Sequence, residues 1–193
     1  MKSKGYTIIE VLIASSLMIV LGLGIVGLQR ILAVSQVETF ENFLSIDQSN
    51  IALTLFEKEL RTASYSDSGA YPIELADNYE IIFYSDIDHD GQAEKVRYYV
   101  SGTSFYKEII NPEGNPVTYP QAQAITYVIT EGLINPGTPV FTYYNEDWPM
   151  DTTNNPLPIP ATASEVRMVS ANINLEKFSL NANVHIRTVK DNL

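Results

Sequence analysis

The sequence predicts an α+β fold in which one long N-terminal helix, transmembrane at first and then amphipathic, packs on a C-terminal antiparallel β-sheet. The first observation is an apolar run, because residues 11–29 carry no ionisable side chain. At ~1.5 Å per residue, a helix of about 19 residues is long enough to cross a hydrocarbon core of ~30 Å. The second observation is that apolar and polar residues alternate after residue 64, as they do in half-buried strands.

The helix is expected to continue beyond the apolar run, because residues 28–63 contain neither proline nor glycine. Apolar residues recur there at spacings of three, four and seven, which is typical of a helix with a buried face. They form two sets, namely Phe40, Phe43, Leu44, Ile51, Leu55 and Ile46, Leu53, Phe56, Leu60, Ala63. We therefore expect a partly buried helix to about residue 64 that packs on the sheet.

Seven strands are predicted after the helix, at residues 80–85, 95–101, 104–110, 125–129, 140–144, 167–175 and 178–186. The last of these has the clearest pattern, because every second residue from Phe178 to Ile186 is apolar. Residues 148–164 contain four prolines and are expected to form an irregular surface excursion.

Composition limits the classes of function. A chain of 193 residues has room for one membrane helix and one globular domain. Its 12 basic and 23 acidic residues give a net charge of −11, and no cluster of Lys or Arg is present. This composition argues against nucleic acid as the main partner, since phosphate contacts need such clusters. Cysteine is absent, so the domain contains no disulfide.

Glu10 is the unusual residue of the apolar segment. A carboxylate costs about 2.5 to 3.5 kcal/mol at the centre of a bilayer and less towards its edges. Glu10 stands near the start of the run. It therefore either marks the interfacial edge of the span, or its negative charge interacts favourably with the positive end of the helix dipole. A third interpretation comes from the residues that surround it.

The segment Lys4-Gly5-Tyr6-Thr7-Ile8-Ile9-Glu10, after a short basic leader, resembles the class III signal of type IV prepilins and pseudopilins. The resemblance implies that a prepilin peptidase cuts between Gly5 and Tyr6 and methylates the amine of Tyr6. Tyr6 replaces the more usual Phe and keeps its aromatic character. The implied organisation is a leader at 1–5, a transmembrane assembly helix at 6–29, its amphipathic continuation at 30–64 and a β domain at 65–193.

The resemblance also implies a role for Glu10 and a set of partners. In the family this glutamate pairs with the N-terminal ammonium of a neighbouring subunit, so Glu10 is expected to direct assembly. The expected partners are other pilin or pseudopilin subunits, the prepilin peptidase, an inner-membrane assembly platform and the membrane. Residues 53–63 are similar to the helix end of PilW-like minor pilins and of the large tip pseudopilin of type II secretion.

Location follows from charge and from the same resemblance. The basic leader is expected to hold the N-terminus in the cytoplasm and to place the globular domain outside the inner membrane. Removal of Lys2 and Lys4 with the leader would change the net charge to about −13. A cell-surface or periplasmic filament would then be the final location of the chain.

Two alternatives remain open. Lys2 and Lys4 also suit an ordinary secretory signal peptide, with cleavage after Ser35 and Gln36 as the new first residue. The second alternative is that the chain is a membrane-anchored or secreted binding domain that does not polymerise, such as a calcium-dependent adhesin. An enzyme is not expected, because His89 and His185 are far apart in sequence and neither has a recognisable catalytic partner.

An acidic hairpin supplies a candidate metal site. Asp86, Asp88 and Asp90 alternate before Gly91, a spacing that imitates the first half of an EF-hand loop and points to Ca²⁺. The second half departs from that pattern, because Arg97 stands where the bidentate glutamate belongs. Glu94 could substitute as a ligand. A solvated hairpin turn, in which Asp and Gly serve backbone geometry, explains the same residues.

Overall fold

The computed structural model describes residues 5–135 and 137–187, which divide between Leu44 and Ser45 into two compact units. Most of the leader predicted at 1–5 therefore lies outside the described residues. The described part contains one long helix followed by antiparallel strands. This arrangement confirms the α+β class and the order of its elements.

Helix α1 spans Ile8–Arg61, 54 residues, close to the predicted range of 6–64. The N-terminal part is apolar and long enough to cross a membrane, and its side chains are exposed. The last turn carries Lys58 and Arg61, whose charges favour the negative end of the helix dipole. The chain then turns into the sheet region, where the N–H of Ser64 donates to the carbonyl of Tyr84 at 2.9 Å.

Two antiparallel sheets follow, whereas the sequence predicted one. The first has five strands in sequential order, β1 (Ile73–Ala76), β2 (Glu80–Ser85), β3 (Glu94–Ser101), β4 (Ser104–Ile110) and β5 (Ile125–Glu131). The second has three, β6 (Phe141–Tyr144), β7 (Met168–Asn174) and β8 (Ser179–His185). β1 was not predicted, because it has only four residues and follows Pro72 directly.

Residues 148–164 contain no helix and no strand, as the four prolines predicted. The expectation that the segment lies on the surface was wrong in part, because Leu157 and Ala161 are buried in the hydrophobic core. This segment separates β6 from β7 in sequence, yet the two strands pair directly, with Phe141 opposite Ala171. The excursion is therefore a long connection between neighbouring strands.

The core of the second unit lies where the last turns of α1 meet both sheets. Phe56 is fully buried, and its ring centroid lies 5.2 Å from that of Tyr98 in β3 and 5.4 Å from that of Phe141 in β6. Leu53, Phe56, Leu60 and Ala63 of the second apolar set are all buried. This result confirms that the helix packs through that set. Four residues of the first set are exposed instead, namely Phe40, Phe43, Leu44 and Ile51.

A buried ion pair crosses the same interface between helix and sheet. Lys107 Nζ of β4 contacts Glu59 Oε1 of α1, and the two side chains are each 7% exposed. The hydroxyl of Tyr98 donates to Glu59 Oε2 at 2.7 Å. Burial raises the pKa of Tyr98, and the neighbouring Glu59 carboxylate raises it further. The Glu59 carboxylate therefore has a donor on each oxygen, as a buried charge requires.

Candidate functional site

Glu10 lies in the first turn of α1 and caps the helix. Its Oε2 accepts hydrogen bonds from the Thr7 backbone N–H at 2.8 Å and from Thr7 Oγ1 at 3.0 Å. The Glu10 N–H approaches Thr7 Oγ1 at 3.4 Å. Thr7 precedes the first helical residue, and Glu10 is the third residue of the helix, so the pair forms a reciprocal capping box. Sequence reasoning missed Thr7, although the Thr-x-x-Glu spacing before an apolar run was the signal.

This geometry bears on each interpretation of Glu10. The contacts within the chain stabilise the N-terminus of the helix, as the helix-end interpretation requires. They engage Oε2, while Oε1 accepts no hydrogen bond from the described residues. A carboxylate oxygen accepts more than one donor, so the cap is compatible with an ammonium group as a further partner. Capping and pairing between subunits are therefore not exclusive.

The residues at the expected processing site lie just before the helix. Gly5 and Tyr6 precede the first helical residue, and the Tyr6 side chain is 88% exposed. A peptidase needs an accessible, non-helical bond, and both residues meet that condition. Their role in processing stays a prediction.

The apolar surface that follows is continuous along the helix. Large aliphatic side chains from Ile8 to Val34 are more than half exposed, and among the described residues none of the span is buried. Fully burying one such side chain contributes about 1.5–3 kcal/mol. An exposed surface of this length is stable only in lipid or against other apolar surfaces.

The acidic turn is the second candidate site, and β2 and β3 hold its ends. The antiparallel register places Ser85 opposite Glu94, so the residues between them form the turn. Oxygen atoms of Asp86, Asp88 and Glu94 all lie within 4.8 Å of one another. Three of the four predicted ligands are therefore brought together.

Asp90 is the predicted ligand that stays outside this group. Its Oδ1 accepts the Gln92 N–H at 2.8 Å, and its Oδ2 accepts the Gln92 side-chain amide at 3.1 Å. The turn residues have the backbone geometry expected of a tight turn, with φ of 65° at His89 and 91° at Gly91. The sequence spacing alone could not show which carboxylates converge, because the hydrogen bonds of the turn decide their directions.

Glu94 is the buried member of the group. Its side chain belongs to a residue that is 3% exposed, and its Oε2 accepts the Ile87 N–H at 2.8 Å. Burial raises the pKa of Glu94 and the charge of Asp88 adds to the increase, although the Ile87 N–H opposes it. The carboxylate is thus held in an environment that disfavours its charged form.

Two residues from outside the hairpin fix the turn, and sequence reasoning did not identify them. Asp67 Oδ2 accepts the Ala93 N–H at 2.8 Å, and the Tyr119 hydroxyl donates to the Ala93 carbonyl at 2.8 Å. Both contacts span 26 residues in sequence, which no local pattern reveals. They hold the backbone next to Glu94 in place.

Comparisons with known proteins do not assign a family or a function to the chain. No protein-family model matches the chain, and no curated protein matches it either.

Proposed function

We propose that the chain is a minor pilin or pseudopilin subunit that is incorporated into, or initiates, a type IV pilus-like filament. The observation that carries the proposal is the long apolar helix with Glu10 in its first turn and the Gly5-Tyr6 step before it. The α+β architecture, in which the helix packs on antiparallel strands, is the one expected of such a subunit. The filament would serve secretion, adhesion, motility or DNA uptake.

The mechanism of assembly follows from solvation. The apolar part of α1 is stable in the inner membrane, and an assembly platform would extract it from there. Water does not tolerate the exposed aliphatic surface, so it would be buried against the helices of other subunits. The globular domain would stay outside the membrane throughout.

Glu10 would give the packing its register. An uncompensated carboxylate between apolar helices is heavily penalised, whereas one paired with an ammonium group is not. After cleavage between Gly5 and Tyr6, the methylated amine of Tyr6 on a neighbouring subunit would supply that group. Subunits docked out of register would leave both charges unpaired.

Mass spectrometry of the mature protein from its native host tests this proposal. We expect the intact mass of a chain that begins at Tyr6 and carries one added methyl group. A chain that begins at Gln36 would identify a secretory signal peptide and overturn the proposal. A chain that retains residues 1–5 would also contradict it, and would favour a membrane-anchored binding domain that does not polymerise.

A further inference from the structure

Arg30 is the one basic residue between Gly5 and Lys58, and it stands where the apolar run of α1 ends. We propose that Arg30 pairs with Glu38 of a second copy of this chain when the apolar helices pack together. The inference rests on the proposed function, because it needs helices that leave the membrane and pack side by side. It adds a second charged contact to the one assigned to Glu10.

The first reason is that Arg30 has no charged partner in its own helix. Helical side chains pair at spacings of three and four, and those positions around Arg30 hold Val26, Gly27, Ala33 and Val34. The ion pairs within the described residues include neither Arg30 nor Glu38, and both residues are exposed. The guanidinium and the carboxylate are therefore both accessible to a neighbouring chain.

The second reason is the apolar surface around Arg30. Arg30 and Glu38 line one shallow groove of α1 together with Ile31, Val34 and Ser35. At the edge of a bilayer, an arginine side chain extends its charge into the headgroups and water. That route closes once other helices cover the groove, and an unpaired buried cation is heavily penalised. A carboxylate on the covering helix removes the penalty.

The register assigned to Glu10 brings such a carboxylate to the right height. If Tyr6 of one copy lies beside Glu10 of the next, the two helices are offset by about four residues, or ~6 Å along the axis. Arg30 of the first copy then lies beside Val34 of the next, and Glu38 follows one turn later. Helical side chains lean towards the N-terminus, so the Glu38 carboxylate leans back towards Arg30. Packed helices lie about 8–10 Å apart, a gap that two long charged side chains can span.

A second copy is the occupant that these charges favour. The helix of this chain supplies both members of the pair, and the offset presents Glu38 where the groove needs an anion. Arg30 of one copy meets Glu38 of the next, so each copy keeps one of the two charges for a further neighbour. Such a heterologous contact does not close into a dimer and suits a filament.

Co-purification of two copies of the full chain, each with a different tag, tests the pair in the native host. Mass spectrometry shows whether each variant begins at methylated Tyr6. Arg30→Glu places two carboxylates against each other, so recovery of the second copy should fall about tenfold or more. Adding Glu38→Arg restores the pair between copies and should return most of the wild-type recovery.

Asp47→Arg in the Arg30→Glu background is the matched control. It gives the chain the same charges as the Glu38→Arg variant but places the new cation about 20 Å along the helix from residue 34. Recovery of the second copy should therefore stay as low as in Arg30→Glu alone.

Wild-type recovery with Arg30→Glu would overturn the pairing, and so would equal rescue by Glu38→Arg and Asp47→Arg. Processed wild-type copies that retain other pilin subunits but not each other would exclude the second copy as the partner and leave the proposed function intact. A chain that is not cleaved after Gly5 would contradict the proposed function and, with it, this inference. If Arg30→Glu does not accumulate in the membrane, Arg30→Gln decides the matter, because it removes the charge without reversing it and should also lower recovery.

Discussion

Replacing Lys107 by methionine should destabilise the globular domain strongly. The change removes the ammonium group that contacts Glu59 and leaves the carboxylate buried, with the Tyr98 hydroxyl as its remaining side-chain donor. Breaking a buried pair from one side costs about 3–5 kcal/mol. Because small proteins unfold with urea slopes of about 1–3 kcal/mol/M, the midpoint should fall by roughly 2 M. Fluorescence of Trp148, the one tryptophan of the chain, follows unfolding in detergent.

Two further variants separate the buried charge from general loss of packing. In Glu59→Gln with Lys107→Met neither member of this pair is charged, and the amide oxygen still accepts from Tyr98, so most of the stability should return. Arg61→Met breaks the exposed pair with Glu57 and should cost less than about 1 kcal/mol. A loss below about 1 kcal/mol in Lys107→Met would refute the reasoning, because the pair would then be effectively solvated.

Three other substitutions probe the two halves of α1. Phe56→Ala removes a ring packed against both sheets and should cost about 3–5 kcal/mol in urea unfolding, whereas Phe43→Ala, at an exposed position, should cost little. Val20→Arg places a charge near the middle of the apolar run, at a cost of about 2.5–3.5 kcal/mol. It should increase the fraction of the chain that alkaline extraction releases from membranes, relative to the wild type, and release of the wild type itself would argue against a spanning helix.

Local patterns predicted much of the fold. The helix bounds came from an unbroken run without proline or glycine, and the predicted strands at 80–85 and 104–110 have the same bounds in the structure. The separation into two sheets was not predictable, because it depends on pairing between distant segments such as Phe141 with Ala171. Alternation shows which face of a strand is buried but not which strand lies beside it.

The buried ion pair between Lys107 and Glu59 was also not predicted from the sequence. Lys107 lies two residues after Phe105, so both side chains are on the inner face of β4. Glu59 lies three residues after Phe56 and is on the inner face of α1. Both signals were present in the sequence. Charged residues are rarely buried unless they are paired, and pairing across 48 residues has no local signature. The converging group of the acidic turn shows the same limit, since the spacing gave the candidates and the turn's hydrogen bonds excluded Asp90.

Assembly through Glu10 is the central claim, and the capping box makes a specific test possible. Glu10→Gln keeps an oxygen for the Thr7 N–H and removes the charge, because glutamine also serves in a capping box. Thr7→Val removes the hydroxyl contacts and keeps the charge. Mass spectrometry would confirm that each variant is processed like the wild type.

The most direct measurement is the amount of other pilin subunits that co-purifies with each tagged variant from the native host. We expect Thr7→Val to retain its partners and Glu10→Gln to lose them, as Glu10→Ala should, while every variant accumulates in the membrane. Wild-type recovery of partners with Glu10→Gln would contradict the account, because Glu10 would then be a helix cap and not an assembly residue.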